Sequence, residues 1–147
     1  MTGDVTAPAF LAASLRPAAF AVARRGRPER AVASATPRGK AGGTTFRYRL
    51  SEAARVLFTI ERARPGRRLS GKCRKPARTT RDKPSCTRYR PLGSFAAAAR
   101  AGGNSKRFSG RIGRRALRPG RYRATLTATD PAGNVSSPRR LEFRVLP

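Results

Sequence analysis

The two cysteines are the side chains of this sequence with the most definite chemistry. Cys73 and Cys86 lie 13 positions apart, and the 147 residues include no histidine. Two cysteines without histidine cannot complete a four-ligand zinc site within one chain. Their neighbours are Arg, Lys, Pro and Ser, which favours a disulfide across the intervening segment over two unpaired buried thiols. A disulfide indicates an oxidising compartment and hence export, and the alternative is an intracellular protein with an unusual loop.

Catalytic side chains are sparse. Without histidine, neither a Ser-His-Asp nor a Cys-His arrangement can form. No close pair of carboxylates suggests general acid–base chemistry, and glycine-rich nucleotide-binding motifs are absent. The seven scattered acids are Asp4, Glu29, Glu52, Glu61, Asp82, Asp130 and Glu142. The sequence therefore predicts a protein that is not an enzyme and that binds no cofactor or metal.

The only polar cluster with any potential to bind a metal is in TDPAGN, where Asp130 and Asn134 could place oxygens around a calcium ion. Two oxygens are too few for such a site, and the neighbouring arginines repel cations. A hydrogen-bonded Asx-type turn is therefore the favoured interpretation.

Positive charge is the second conspicuous property. The chain has 34 Lys or Arg against 7 Asp or Glu, a net charge of +27, and 29 of the basic residues are arginine. GC-rich coding produces such Arg-rich, Ala-rich composition without any functional requirement. A functional explanation is contact with a polyanion such as nucleic acid, an acidic cell-wall polymer or an anionic surface. Both explanations remain open.

The charge is densest from residue 62 to residue 90, where twelve basic residues face one acid, Asp82. Only Tyr89 offers a ring there, whereas single-stranded nucleic acids are usually bound on several stacking rings, and no standard nucleic-acid motif is present. We expect charge reversal in this run and elsewhere to weaken polyanion binding by similar factors. The candidate anion-binding residues are Arg67, Arg68, Lys72, Arg74, Lys75, Arg78, Arg81 and Lys83.

Hydrophobic residues at every second position predict the strands that position these groups. The pattern occurs around Phe58, Tyr122 and Phe143, and over Phe46, Tyr48 and Leu50. Weaker candidates surround Phe95 and Phe108, and a first strand from Leu11 to Phe20 is broken by Pro17. About seven short strands separated by Gly/Pro turns predict an all-β, antiparallel β-sandwich with a long, disulfide-closed basic loop.

A corner is predicted within FSGRIGRRALRPGRYRATLTATDPAGN. There Pro119 and Gly120 form a tight turn, and Tyr122 follows at the start of a strand. In immunoglobulin-like sandwiches a tyrosine at this place ties its hydroxyl to backbone a few residues upstream. Tyr122 is therefore predicted to be buried, with its hydroxyl bonded near residues 117–119.

Length and composition indicate one domain. Residues 1–43 supply the first strand and an Ala/Arg/Gly/Pro-rich loop or linker over 21–43, and residues 44–147 form the rest of the sandwich. The N-terminus lacks an early basic cluster, and the uncharged run over 5–15 is too short to cross a membrane. A module cut from a longer exported protein, or a gene fragment whose start falls inside one, would explain why an exported chain lacks a clear signal peptide.

The order of these motifs resembles a known group of domains. The segments TTFRYRLSEAARVLFTIERA and NSKRFSGRIGRRALRPGRYRATLTATDPAGNVSSPRRLEFRV are similar to bacterial Ig-like and fibronectin type III-like repeats of exported proteins from high-GC Gram-positive bacteria. They are more distantly similar to the Ig-like domain of flagellar hook-capping proteins. The resemblance covers about two thirds of the chain, from Thr44 to Val145, and carries no functional site. It implies a spacer or accessory module at the cell surface or outside the cell, beside neighbouring domains of a longer chain.

Two functions follow from the sequence. The first is a non-catalytic extracellular module with a structural or weak interaction role. The alternative is a polyanion-binding module that uses the basic segment 62–90 to engage phosphate or carboxylate groups.

Overall fold

The computed structural model describes residues 6–24 and 42–147. Most of the predicted linker, residues 25–41, lies outside the described residues, as do residues 1–5. Within the described ranges, no helix has the length and apolar composition that crossing a membrane requires.

Strands make up most of the described chain, and their side chains alternate as predicted. From Tyr122 to Ala128, for example, every second residue is buried. Seven of the strands have seven residues or more, in agreement with the predicted number. In chain order the eleven strands of the described residues are β1 (Phe10–Arg16), β2 (Ala19–Phe20), β3 (Thr44–Leu50), β4 (Ala54–Leu69), β5 (Lys72–Arg74), β6 (Ser85–Ala99), β7 (Gly102–Phe108), β8 (Arg111–Ile112), β9 (Arg115–Ala116), β10 (Gly120–Thr129) and β11 (Arg139–Val145).

The long strands form two sheets that pack face to face. One sheet has the order β1-β3-β7, and the long strands of the other have the order β11-β10-β4-β6. Neighbouring long strands are antiparallel throughout. The fold is therefore the predicted antiparallel β-sandwich.

Aromatic rings fill the space between the sheets. The ring centres of Phe46 on β3 and Phe58 on β4 are 5.0 Å apart, and Phe58 stacks on Phe95 of β6 at 4.9 Å. Phe46 and Phe58 are fully buried. Burying a side chain of this size contributes about 1.5–3 kcal/mol, so these rings hold the two sheets together. Phe95 and Phe108, the weaker strand candidates, both lie in strands.

The first strand passes from one sheet to the other at Pro17. β1 pairs with β3, whereas β2 runs parallel to β11 in the second sheet. The Thr44 hydroxyl donates a hydrogen bond of 2.7 Å to the carbonyl oxygen of Pro17 and fixes the crossing point. The break predicted at Pro17 is thus a change of sheet.

The start of β1 and the end of β11 lie at opposite ends of the sandwich. Phe10, at the start of β1, pairs with Leu50 at one end of the sandwich. Val145, at the end of β11, pairs with Gly120 and Phe20 at the other end. A basic ribbon projects from this second end.

Candidate polyanion-binding arm

Strands β4 and β6 continue past the end of the sandwich. β10 pairs with β4 as far as Arg62, but β6 stays paired with β4 out to Arg67 and Ser85. The short strand β5 then pairs with β4 on its other edge, at residues 67–69. Residues 62–91 therefore form an antiparallel ribbon, the arm, with a two-stranded stem and a three-stranded tip. The sequence predicted a loop here, and most of the segment is strand.

The predicted disulfide fastens the tip. Cys73 of β5 is bonded to Cys86 of β6, with their Cα atoms 5.9 Å apart. Cys86 pairs with Gly66 of β4, and a Cβ atom on Gly66 would lie 2.6 Å from Cys73 Sγ. The disulfide therefore passes over β4 at Gly66 and joins the two outer strands of the tip.

The connection between β5 and β6 is held by hydrogen bonds around Thr80, which is buried. The Thr80 hydroxyl donates to the carbonyl oxygen of Ala77 at 3.1 Å and accepts from the Ala77 N–H at 3.0 Å. The guanidinium of Arg67 donates to the carbonyl oxygen of Lys83 at 2.8 Å. These bonds order a segment that contains few hydrophobic residues.

The eight predicted anion-binding residues all lie in the tip, but they do not share one face. Arg67 is half-buried and spends one donor on the Lys83 carbonyl. Arg67 and Arg74 are directly opposed and share a face, whereas Arg68 is opposite Cys73 and points to the other face. The exposed members are Arg68, Lys72, Arg74, Lys75, Arg78, Arg81 and Lys83. The tip is a basic surface without a converging cluster.

The stem carries four arginines that the sequence did not single out. Arg62 of β4 is opposite Arg90 of β6, and Arg64 is opposite Arg88. Directly opposed residues point to the same face of a ribbon, and opposed like charges destabilise it. The repeated pattern Arg-x-Arg-Pro in both strands is the signal that could have revealed these pairs. The register of β4 on β6 is also needed, and the sequence does not supply it.

The tyrosine corner anchors the base of the arm. Tyr122 is buried, and its hydroxyl donates a 2.6 Å hydrogen bond to the carbonyl oxygen of Arg118, the arrangement that the sequence predicts. Arg62 donates to the Tyr122 hydroxyl and to the Pro119 carbonyl, both at 3.3 Å. A Cβ atom on Gly120 would lie 2.9 Å from Arg62 Nη2, so glycine leaves room for this guanidinium. Arg62 thus has a structural role.

The other stem arginines differ in their surroundings. Arg88 Nε donates to the carbonyl oxygen of Pro65 at 3.0 Å, which leaves its two Nη groups for other partners. Arg64 and Arg90 are exposed. Among the described residues, neither of their side chains makes an ion pair or a hydrogen bond. This face of the stem therefore carries uncompensated positive charge.

At the base of the stem, the opposite face of the sheet carries an ion pair between two sandwich residues. Arg123 Nε lies 2.8 Å from Glu61 Oε1, and its guanidinium carbon is 3.7 Å from the centre of the Tyr89 ring. The Thr125 hydroxyl also donates to Glu61 Oε1, at 2.7 Å. Burial raises the pKa of Glu61, but hydrogen bonds from Arg123 and Thr125, with the charges of Arg123 and Arg140, outweigh it and hold that pKa below its ordinary value. At the base of the stem, one face thus carries unpaired arginines and the other an arginine paired with Glu61.

The candidate calcium site is a closed turn at the other end of the sandwich. The Asn134 N–H donates to Asp130 Oδ1 at 2.8 Å, and Asn134 Nδ2 donates to Asp130 Oδ2 at 3.1 Å. The Gly133 N–H donates to the Asp130 carbonyl oxygen at 2.9 Å. Both carboxylate oxygens are engaged within the turn, which is the favoured Asx-type arrangement.

Neither a protein-family model nor a curated protein matches this chain. Its function is therefore inferred from the arm, which carries exposed arginines that no described acidic side chain pairs.

Proposed function

We propose that the chain is a non-catalytic, Ig-like module of an exported protein and that its arm binds an anionic polymer. One observation carries the proposal: the densest basic segment is an ordered, disulfide-tied ribbon rather than a solvated loop. Fixing like charges opposite one another costs free energy, which a bound polyanion would offset. Composition alone explains many arginines, but it does not explain their ordered pairing.

Two structural features support the Ig-like and exported parts of the proposal. The Tyr122 hydroxyl bonds to backbone four residues upstream, which is a hallmark of immunoglobulin-type sandwiches. The bond between Cys73 and Cys86 suits an oxidising compartment.

A spacer role is the second candidate, and strand direction favours it. Phe10 and Val145 lie at opposite ends of the sandwich. A module whose first and last strands end far apart can separate neighbouring domains in a longer chain. Spacing and polymer binding are compatible, since the arm projects beyond the sandwich.

The test compares charge reversal inside and outside the arm. The arm variant reverses two exposed stem arginines and two exposed tip arginines: Arg64→Glu, Arg68→Glu, Arg74→Glu and Arg90→Glu. The control variant reverses four exposed arginines of the sandwich: Arg47→Glu, Arg49→Glu, Arg55→Glu and Arg100→Glu. Arg67 and Arg123 are unsuitable for either variant because both make contacts that hold the fold.

Affinity for inorganic polyphosphate is measured near physiological ionic strength, because any protein of this charge binds polyanions at low salt. The ordered arm changes the expectation of equal effects: the arm variant should lose at least about tenfold more affinity than the control, or about 1.4 kcal/mol. Equal losses would show that only net charge matters and would leave the spacer role as the function.

A further inference from the structure

We infer that the polymer binds on the uncompensated face of the stem, continued by the segment 110–120, and that it is recognised through its repeated oxyanion groups alone, whether phosphates or carboxylates. This inference rests on the proposed function of the arm, and it specifies where the ligand binds and what its chemistry is.

The stem face is the first element of this site. Arg64 and Arg88 are directly opposed, and Arg90 lies on the same face one pair nearer the sandwich. Alternate residues of a strand are about 6.8 Å apart, so the guanidinium groups repeat along the ribbon at a regular spacing. Natural sheets place opposite charges or neutral side chains at such positions. Opposed like charges that no group within the described protein compensates indicate a partner outside it.

The segment 110–120 lies against the base of this face. A Cβ atom on Gly93 of β6 would be 2.7 Å from Ile112 Cγ2, so the β8–β9 hairpin packs tightly on β6. At the other side of the stem base, the Pro119 carbonyl accepts a hydrogen bond from Arg62, which shares the face of Arg64. The segment therefore borders the uncompensated face from β6 to β4.

This segment adds positive charge to the border. Its exposed arginines are Arg114, Arg115 and Arg118, and residues 110–120 contain no acid. The stem strands, residues 62–66 and 86–91, contain none either. Six arginines with free or partly free guanidinium groups thus lie on the stem face or in the segment that borders it, and neither segment contains an acid. The planar guanidinium fork binds two oxygens of a phosphate or of a carboxylate at once, so an arginine face suits an oxyanion polymer better than a lysine face would.

Aromatic side chains are missing from the site, and this limits what it can recognise. The chain has seven Phe, three Tyr and no Trp. Eight of these ten rings are buried, Phe95 packs against the core, and Tyr89 lies on the opposite face beneath the guanidinium of Arg123. Binding of single-stranded nucleic acid usually relies on base stacking, worth about 1–3 kcal/mol per base. Without a free ring, the site contacts the charged groups of the polymer and makes no base-stacking contact.

Two variants with equal charge change locate the site. The stem variant carries Arg64→Glu, Arg90→Glu, Arg114→Glu and Arg118→Glu. The tip variant carries Arg68→Glu, Lys72→Glu, Arg74→Glu and Arg78→Glu. The probes are an abasic oligodeoxynucleotide, the same length of oligothymidylate and a polyglutamate of equal charge, each titrated over a salt series.

The stem variant should lose at least about tenfold more affinity for the abasic strand than the tip variant does. Its salt slope should fall by about 3 if four phosphate contacts are lost. The two oligonucleotides should bind equally, and the relative affinity of polyglutamate distinguishes phosphate from carboxylate as the bound group. A larger loss in the tip variant would overturn the location while leaving the arm's function intact. Equal losses in stem, tip and sandwich variants would overturn both, and tighter binding of oligothymidylate would overturn the ligand class.

A single substitution guards against variants that fail to fold. Arg64→Glu places a carboxylate opposite Arg88, so the ribbon should become more stable and the hydrogen-exchange protection of its amides should rise about twofold to fivefold. Affinity for the abasic strand should fall in the same variant. A variant that is better ordered and binds less separates a binding role from a structural one, and unchanged affinity would contradict the inference.

Discussion

Gly66 lies directly beneath the disulfide, where a Cβ atom would approach Cys73 Sγ to 2.6 Å. It would also lie 2.8 Å from the carbonyl oxygen of Arg74 and from Arg88 Cγ. Because Gly66 has no side chain, the disulfide can pass over β4, the central strand of the tip, and join β5 to β6. The order of the tip depends on this glycine as much as on the two cysteines.

Replacing Gly66 by valine should prevent the tip from closing. The two methyl groups would occupy the space of the sulfur atoms, so we expect a large fraction of Cys73 and Cys86 to remain reduced, while the sandwich still folds. Thiol labelling under denaturing, non-reducing conditions measures this fraction. Gly103→Val on β7 is the matched control, because its nearest neighbour would be an arginine tip 3.8 Å away. Complete oxidation of the Gly66→Val variant would show that the disulfide does not need this passage.

Removing the disulfide should loosen the arm and leave the sandwich ordered. The double variant Cys73→Ser, Cys86→Ser loses a cross-link worth at most about 3 kcal/mol in the chain-entropy model. Because the linked segments lie outside the core, the loss should appear as faster hydrogen exchange in β5 and residues 75–84, with β10 unchanged. Equally faster exchange in β10 would mean that the arm and the sandwich unfold as one unit.

The sequence predicted the sandwich well because its strands carry a hydrophobic alternation. Tyr122, Ala124 and Leu126 are buried at every second position and form the core that this pattern demands. The corner and the disulfide were also predictable, since Tyr122 after a Pro-Gly turn and an isolated cysteine pair are local signals.

The arm could not be predicted in the same way. Residues 63–69 read ARPGRRL, with Pro65, Gly66 and three arginines, which is poor strand composition. Their extended conformation comes from pairing with β6 and from the cross-link, which are long-range interactions. For the same reason the sequence could not predict that Arg64 lies opposite Arg88, because a shift of one residue in register would place them on opposite faces.

Tyr122→Phe should lower the free energy of unfolding by about 1–2 kcal/mol. The substitution removes the 2.6 Å bond to the Arg118 carbonyl and the acceptor of Arg62 Nη1, but it keeps the ring. Urea unfolding measures the change. Tyr48→Phe is the control, because the Tyr48 ring is equally buried and, within the described part of the chain, its hydroxyl makes no hydrogen bond. Equal losses in the two variants would show that the corner bonds contribute nothing to stability.

Glu61 should make the stability of the sandwich depend on pH. Its pKa in the folded protein lies below the ordinary value of 4.5. Burial raises this pKa, but the hydrogen bonds from Arg123 and Thr125 and the charges of Arg123 and Arg140 lower it by more. A carboxyl group whose pKa is depressed by folding stabilises the native state above its unfolded pKa, and this stabilisation is lost as the pH falls through the folded pKa.

Wild-type unfolding free energy should therefore decline as the pH is lowered from about 5, and Glu61→Gln should remove part of that decline while lowering stability at neutral pH. Glu142→Gln, which replaces an exposed carboxylate opposite Arg123 on β11, is the matched control and should change the pH profile less. If Glu61→Gln and wild type lost stability in parallel as the pH fell, the bond between Glu61 and Arg123 would not stabilise the sandwich at the base of the stem.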